Sequence, residues 1–188
     1  MKLIILDRDG VINTDSDDFI KSPEEWHPIP GSLEAMAALK HAGWTVAVAT
    51  NQSGIARGLF SIGTLDAIHQ TMHHSLAEHK ATIDQIVWCP HGPDDSCSCR
   101  KPKPGLYQQI AELLNCSLLN VPVVGDSLRD LEAAVHVGAQ PILVKTGKGQ
   151  RSLACGRLPA HTLIFNDLQS VASALLAGQL QVQGASRL

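Results

Sequence analysis

Aromatic side chains are scarce in this sequence. Its 188 residues include three Trp, one Tyr and three Phe, and the formal net charge is -3. Proteins that bind single-stranded nucleic acid stack its bases on aromatic side chains within a basic surface, and this composition offers neither. We therefore expect no nucleic-acid partner for this chain.

Long hydrophobic runs are also missing, although hydrophobic residues make up 44% of the chain. No stretch approaches the roughly 18 apolar residues of a membrane helix. The first apolar run, residues 3–6, ends at Asp7 and is too short for a signal peptide. We expect a cytoplasmic protein that does not associate with membranes, and a length typical of one domain.

Cysteine is present in an odd number, five, which fits poorly with a framework made only of disulfides. In the cytoplasm thiols stay reduced and are free to bind metal. Within "CPHGPDDSCSC" (89–99), two pairs of residues are each separated by one position, so each pair faces one side of an extended segment. Three sulfurs and one nitrogen then complete a closed, tetrahedral zinc site. The predicted ligands are Cys89, His91, Cys97 and Cys99.

A reduced, reactive loop is the alternative interpretation of this cluster. The segment between the two pairs has no apolar residue to hold it in place, and ordering it costs roughly 1–2 kcal/mol per residue. Bound zinc offsets that cost and would fix Arg100 and Lys101 beside it. Of the other cysteines, we expect Cys116 in the core and Cys155 in a loop without a role.

Short apolar runs alternate with longer segments of helical periodicity along the whole chain. This alternation is typical of a parallel sheet with helices on both faces, so we predict an α/β fold with a doubly wound sheet. Residues 146–160 are predicted to form a long loop and residues 178–188 a loosely ordered tail. The predicted strands are 2–6, 44–50, 84–90, 121–126, 140–147 and 161–166, and the predicted helices are 31–43, 61–80, 104–115, 128–139 and 167–178.

Polar side chains follow the predicted strands where a doubly wound sheet binds its ligands. Asp7 and Asp9 come after the first strand, Thr50 after the second and Asp126 after the fourth. Neighbouring carboxylates repel, and a divalent cation that prefers oxygen ligands, such as magnesium, relieves the repulsion. The alternative is that each aspartate only caps the turn after its strand.

Four segments occur in a fixed order: "DRDG" (7–10), "TN" (50–51), "RKPKPG" (100–105) and "GDSLRD" (125–130). With these motifs the chain resembles the haloacid dehalogenase (HAD) superfamily of phosphohydrolases over about residues 3–147. The resemblance implies a Rossmann-like core without a cap domain, and a zinc-bound loop inserted in it.

The same resemblance implies roles for individual residues. Asp7 would attack phosphorus and become an aspartyl phosphate, and Asp9 would act as the general acid and base. Thr50 and Lys101 would hold the transferred phosphoryl group. Mg²⁺ would be bound by Asp7, the backbone carbonyl of Asp9, and Asp126. For Asp130 two interpretations stay open: it positions Lys101 or a metal-bound water, or it is only a first-turn acid that suits the helix dipole.

Within the superfamily, "TNQSGIARG" (50–58) and the thiol loop are similar to a small capless group that carries zinc. This implies removal of the 7-phosphate of D-glycero-D-manno-heptose 1,7-bisphosphate, a precursor of bacterial lipopolysaccharide. We expect a monomer with one domain over 1–177. The implied substrate contacts are Asp15, Ser16, Asp17, Asp18, Asn51, Gln52, Ser53 and Arg100.

Three other interpretations stay open at this point. Histidinol phosphate, or another small phosphomonoester, is an alternative substrate, because the same loop occurs in histidinol phosphatases. A signalling receiver would be phosphorylated on Asp7 without turning over a substrate, but Asp9 supplies the acid and base that turnover needs. A DNA-end phosphatase has related segments but fits poorly with the low aromatic content.

Overall fold

The computed structural model describes residues 1–180, and these form a parallel sheet between two layers of helices. The predicted fold class is confirmed. The strands are β1 (Leu3–Leu6), β2 (Thr45–Asn51), β3 (Gln85–Cys89), β4 (Pro122–Gly125), β5 (Gln140–Val144) and β6 (Leu163–Phe165). The helices are α1 (Ser32–His41), α2 (Ile62–Glu78), α3 (Gly105–Leu113), α4 (Leu128–His136), α5 (Gly149–Ala154) and α6 (Leu168–Leu176).

The strand order is β3-β2-β1-β4-β5-β6, and every neighbouring pair is parallel. The chain starts in the middle of the sheet, moves outward to β3, and then crosses to β4 on the other side of β1. The crossing at β1 is the topological switch point, where a doubly wound sheet opens a crevice at the carboxyl ends of its strands.

Strand β1 is buried on both faces, which explains why "LIIL" is apolar without alternation. Ile4 and Leu6 face one core cluster, packed by α1, α2 and α6, whereas Leu3 and Ile5 face the other, packed by α3 and α4. Side chains of even number in this part of the chain therefore point toward α1, α2 and α6. Arg8, two residues beyond the strand, follows the same alternation.

The prediction of a long loop over 146–160 is wrong, because α5 begins at Gly149. Contacts with Asp126 account for the helix: the backbone N–H of Lys148 donates to Asp126 Oδ2 over 2.7 Å, and Ser152 Oγ donates to the Asp126 carbonyl over 2.8 Å. The glycines that suggested a loop allow close approach instead. A Cβ on Gly149 would lie 1.8 Å from the carbonyl oxygen of Val144.

Most of the predicted tail, 181–188, lies outside the described residues. Within residues 1–180, no helix combines the length and the apolar character that crossing a membrane requires.

Candidate active site

A small cleft of about 220 Å³ opens at the carboxyl ends of β1, β2 and β4. Pockets for drug-sized ligands measure roughly 300–1,000 Å³, so the size favours a small substrate. The cleft contains the residues predicted for catalysis, magnesium binding and substrate contact apart from Asp18, whose carbonyl accepts a hydrogen bond from Lys21 outside it. Its predicted lining residues are Asp7, Asp9, Asp15, Ser16, Asp17, Thr50, Asn51, Gln52, Ser53, Arg100, Lys101, Asp126 and Asp130.

Lys101 lies at the centre of the charges in this cleft. Its Nζ is 3.1 Å from Asp7 Oδ1 and 2.5 Å from Asp130 Oδ1, and its side chain is only 2% exposed. Burial would lower the pKa of Lys101, but the carboxylates of Asp130 and Asp7 raise it above its usual value. Lys101 is therefore a permanent buried cation beside Asp7.

Asn51 holds the backbone that carries this lysine. Its Nδ2 donates to the Lys101 carbonyl over 3.1 Å, and its Oδ1 accepts from the Lys101 N–H over 3.1 Å. Lys101 Nζ also donates to the Ala49 carbonyl over 2.8 Å. Lysine side chains are flexible, and these contacts fix this one at a single position at the end of β2.

Asp130 fulfils both roles that the sequence left open, one with each oxygen. Oδ1 pairs with Lys101, while Oδ2 accepts from the N–H of Ser127 over 3.0 Å and from its hydroxyl over 2.6 Å. The second set of bonds is a helix cap that closes the start of α4. Burial would raise the pKa of Asp130, but Lys101 and Ser127 hold it below the usual value, so the carboxylate is charged.

Asp7 and Asp126 are two buried acids with raised pKa values. Burial is the main cause that raises the pKa of Asp7 to about 7, against the lowering effect of Lys101. Burial and the charges of Asp130 and Asp7 raise the pKa of Asp126 to about 8. One carboxylate oxygen of each of these three aspartates lies within 4.8 Å of the others. Asp7 and Asp126 therefore favour a bound cation, whereas Asp130 is already paired with Lys101.

Two glycines make room for Asp126. Gly10 and Gly147 both have positive φ angles, of 83° and 54°, and a Cβ on either would lie 2.0 or 2.2 Å from Asp126 Oδ2. Only glycine tolerates both the angle and the contact, which explains the glycine in "DRDG". The chain turns after Asp9 and after Thr146 therefore press backbone against the carboxylate.

Asp9 faces a different set of partners from Asp7. Its oxygens accept hydrogen bonds from Arg8, from Asn13 Nδ2 over 2.9 Å, and from Gln52 Nε2 over 3.0 Å. Burial would raise the pKa of Asp9, but Arg8, followed by these two amides, lowers it. Gln52 Nε2 also donates to Thr50 Oγ1 over 2.9 Å, which leaves the threonine hydroxyl free to donate into the cleft.

The four predicted zinc ligands converge beside the cleft. Cys99 Sγ lies 3.1 Å from Cys89 Sγ and 3.3 Å from His91 Nδ1, and Cys89 Sγ lies 3.9 Å from Cys97 Sγ. Zinc bonds of about 2.0–2.3 Å in a tetrahedron place donor atoms roughly 3.3–3.8 Å apart, so this cluster fits zinc. All three cysteines are free thiols.

The thiol loop connects directly to the cleft. Arg100 Nη1 donates to the His91 carbonyl over 3.1 Å, and the Lys103 ammonium donates to the Cys97 carbonyl. Lys103 is exposed and lies outside the cleft. Cys116 is buried in the core, as predicted, and Cys155 is exposed at the end of α5.

Comparison with known proteins shows which families this chain resembles. The chain matches the HAD-hydrolase-like family model over residues 98–171 and the polynucleotide kinase 3 phosphatase model over residues 2–129. It is 60% identical to the D-glycero-β-D-manno-heptose-1,7-bisphosphate 7-phosphatase of Pseudomonas putida, covering 94% of this chain and 100% of that protein. The protein of the same name from Bordetella bronchiseptica is 58% identical, and the match covers 94% of this chain and 98% of that protein.

A solved structure of one of these relatives has the same fold. The D,D-heptose 1,7-bisphosphate phosphatase of B. bronchiseptica, in complex with magnesium and phosphate, superposes with a TM-score of 0.93 at 58% identity, and 95% of this chain and 99% of that chain are covered. The chain belongs to the heptose-bisphosphate phosphatase family of HAD-like hydrolases.

Membership of the heptose-bisphosphate phosphatase family confirms the predicted superfamily and the predicted class of enzyme, a phosphoric monoester hydrolase. It leaves no support for a receiver that only accepts phosphate. The predicted magnesium is borne out by the related structure that holds it, and the predicted zinc by a Cys/His cluster that could bind it.

Several cleft residues were missed by sequence reasoning. Arg57 and Arg129 line the cleft with Arg100, and burial and repulsion from Arg129 lower the pKa of Arg100. Arg57 also lies 5.7 Å above the ring of Phe19, another missed residue. Lys148 also lines the cleft, and its Nζ pairs with Asp15 Oδ2 at 2.8 Å. "GIARG" and "KTGKGQR" carried the signal, a cation between glycines.

The zinc cluster predicts coupled loss of metal and stability. We expect Cys97→Ser to lower zinc content well below the roughly one ion per chain of the wild type and to lower the free energy of unfolding by at least ~2 kcal/mol. Elemental analysis and urea denaturation measure the two effects. Cys155→Ser, at the exposed cysteine, is the matched control and should change neither. Full zinc and unchanged stability in Cys97→Ser would contradict the assignment.

The raised pKa values of Asp7 and Asp126 predict how magnesium stabilises the protein. Their folded pKa values, about 7 and 8, exceed the unfolded value of 3.8, so without a cation stability falls as pH rises from about 4 to about 8. Mg²⁺ replaces the protons and offsets this loss. It should therefore raise the melting temperature more at about pH 8.5 than at about pH 6. At the higher pH, a concentration about 100 times Kd should add about 2.7 kcal/mol to the free energy of unfolding.

Differential scanning calorimetry with and without magnesium chloride, and without chelators, measures this effect. Asp126→Asn should lose the response to magnesium, while Asp66→Asn, an exposed aspartate on α2, should keep it. An equal rise in melting temperature at both pH values would argue against cation binding at these carboxylates.

Proposed function

We propose that this protein is a magnesium-dependent phosphatase that removes the 7-phosphate of D-glycero-β-D-manno-heptose 1,7-bisphosphate through a phosphorylated Asp7, in the synthesis of lipopolysaccharide heptose. The observation that carries the proposal is the buried Asp7–Lys101–Asp130 arrangement, within a chain 60% identical to a phosphatase named for this substrate. The β anomer is the one that the related phosphatases of P. putida and B. bronchiseptica act on.

In the first half of the proposed reaction, Asp7 attacks phosphorus and the bond from phosphorus to the C7 oxygen breaks. The negative charge of the bound phosphate favours a proton on Asp9, which gives this proton to the leaving oxygen, while Lys101 and the Thr50 hydroxyl hold the phosphoryl oxygens. Asp7, Asp126 and the Asp9 carbonyl would hold Mg²⁺, which supplies positive charge so that an anionic nucleophile can approach an anionic phosphate.

In the second half, water attacks the phosphorus of the aspartyl phosphate. Asp9, now ionised, takes the proton from this water, and the bond from phosphorus to the Asp7 oxygen breaks to release inorganic phosphate. The low pKa of Asp9 in the free protein suits this role as base. Asp130 has no direct part, because both of its oxygens are engaged by Lys101 and Ser127.

A substrate with two phosphates is supported by the guanidinium groups of the cleft. Arg57, Arg100 and Arg129 all line it in addition to Lys101, and planar guanidinium groups suit phosphate oxygens. A monophosphate would occupy Lys101 and leave these guanidinium groups without a bound phosphate. This favours a bisphosphate over histidinol phosphate, the alternative substrate in the same group.

A panel of substrates tests the proposal. We expect kcat/KM for the β-heptose 1,7-bisphosphate to exceed that for histidinol phosphate and for a 3′-phosphorylated oligonucleotide by at least about 100-fold, roughly the 2.7 kcal/mol of one lost charged contact. The oligonucleotide is included because of the polynucleotide kinase 3 phosphatase match. Phosphorus NMR of the product should show that the phosphate on C1 remains. Faster turnover of either alternative would assign the enzyme to that substrate instead.

Asp7→Asn tests the nucleophile. We expect kcat to fall by about 1,000-fold or more without a lower melting temperature, because the amide keeps the shape of the side chain but cannot form the acyl phosphate. Asp66→Asn, at the exposed surface of α2, is the control and should leave kcat unchanged. Turnover at the wild-type rate in Asp7→Asn would rule out this residue as the nucleophile.

The single domain over 1–177, the monomeric state, the cytoplasmic location and the lack of a nucleic-acid or membrane partner stay predictions.

A further inference from the structure

One fully buried cation next to the cleft is not used by the proposed reaction. Arg8, between the two aspartates of "DRDG", is 0% exposed. Arginine is almost never completely buried unless it is paired, because desolvating its charge is costly. A side chain in such a position needs a partner that fixes it, and its partner here is Asp9.

The contact between Arg8 and Asp9 is a fork. Nε of Arg8 donates to Asp9 Oδ1 over 3.0 Å, and Nη2 donates to Oδ1 over 2.9 Å and to Oδ2 over 3.0 Å. A planar guanidinium that contacts both oxygens fixes the rotation of a carboxylate as well as its position. Asn13 and Gln52 complete the set of donors around it.

The other end of Arg8 reaches helix α2. Its Nη1 lies 3.4 Å from Nε2 of His69, which is 7% exposed. Burial and the charge of Arg8 lower the pKa of His69 to about 3, so the ring is neutral and Nε2 can accept this hydrogen bond. His69 is thereby connected to the cleft through one arginine.

We propose that Arg8, held in turn by His69, is a positioning residue that orients the Asp9 carboxylate for proton transfer to the leaving oxygen. This inference rests on the proposed function, because it takes Asp9 as the general acid. It explains a buried charge and a buried histidine with one contact chain that runs from α2 to the reacting group.

Leaving groups of different basicity separate positioning from a merely structural role. An alkyl alkoxide leaves poorly and needs a well-placed proton donor, whereas 4-nitrophenolate leaves without one. The ratio of kcat/KM between these two kinds of substrate reports only the steps up to departure of the leaving group. A general loss of folded or active enzyme lowers both values equally and leaves the ratio unchanged.

Arg8→Lys is the first variant, because it keeps the charge but loses the fork. We expect kcat/KM to fall by about 10- to 100-fold for the heptose bisphosphate, within the range that general acid catalysis contributes, and by less than about threefold for 4-nitrophenyl phosphate. Equal losses on both substrates, or no loss on either, would overturn the proposal.

His69 provides a second test should the buried Arg8→Lys variant fold poorly. His69→Leu removes the acceptor and should lower the same ratio by about threefold or more, whereas His69→Gln offers an amide oxygen to Arg8 and should restore it. His73→Leu, one turn further along α2 and exposed, is the matched control and should leave the ratio at the wild-type value. An unchanged ratio in His69→Leu would remove His69 from the proposal.

The wild-type enzyme separates the two proposals. If it releases no phosphate from any alkyl phosphate, the proposed function fails and the positioning role fails with it. If it does release phosphate but the ratio is the same in wild type, Arg8→Lys and His69→Leu, only the positioning role fails.

Discussion

The ion pairs of Lys101 with Asp7 and Asp130 are the interaction on which the site depends. Buried charges are tolerated only when their partners are fixed in place. Asp7 comes from the end of β1, Asp130 from the first turn of α4, and Lys101 from the loop after the thiol cluster. Three distant parts of the chain must therefore come together before the charge of Lys101 is compensated. The parallel sheet brings them together.

The thiol cluster acts on the same lysine from outside the sheet. Residues 89–99 contribute little to either hydrophobic core, beyond Cys89 and the partly buried Cys97 and Cys99. A metal bond can therefore replace packing as the source of order. Asn51, at the end of β2, also fixes the backbone of Lys101 through a pair of hydrogen bonds. A structural metal thus helps determine where a cation of the cleft lies, although it need not touch substrate.

Sequence patterns predicted most of the fold because its determinants are local. Short apolar runs mark the strands, and spacing of one residue marks the thiol ligands. Prediction failed where long-range contacts decide. Residues 146–160 contain three glycines and read as a loop, yet contacts with Asp126, more than 20 positions earlier, stabilise α5. Arg8 was overlooked because no local pattern shows that its partner on α2 is 61 residues away.

The cap of α4 has a further consequence. One carboxylate, Asp130, both closes the amino end of that helix through Ser127 and neutralises the lysine beside the proposed nucleophile. Fraying of the first helical turn would release the counter-charge of Lys101 at the same moment. Local unfolding at the amino end of α4 would thus inactivate the enzyme while the sheet and both cores stayed folded. Inactivation on heating should therefore precede global denaturation.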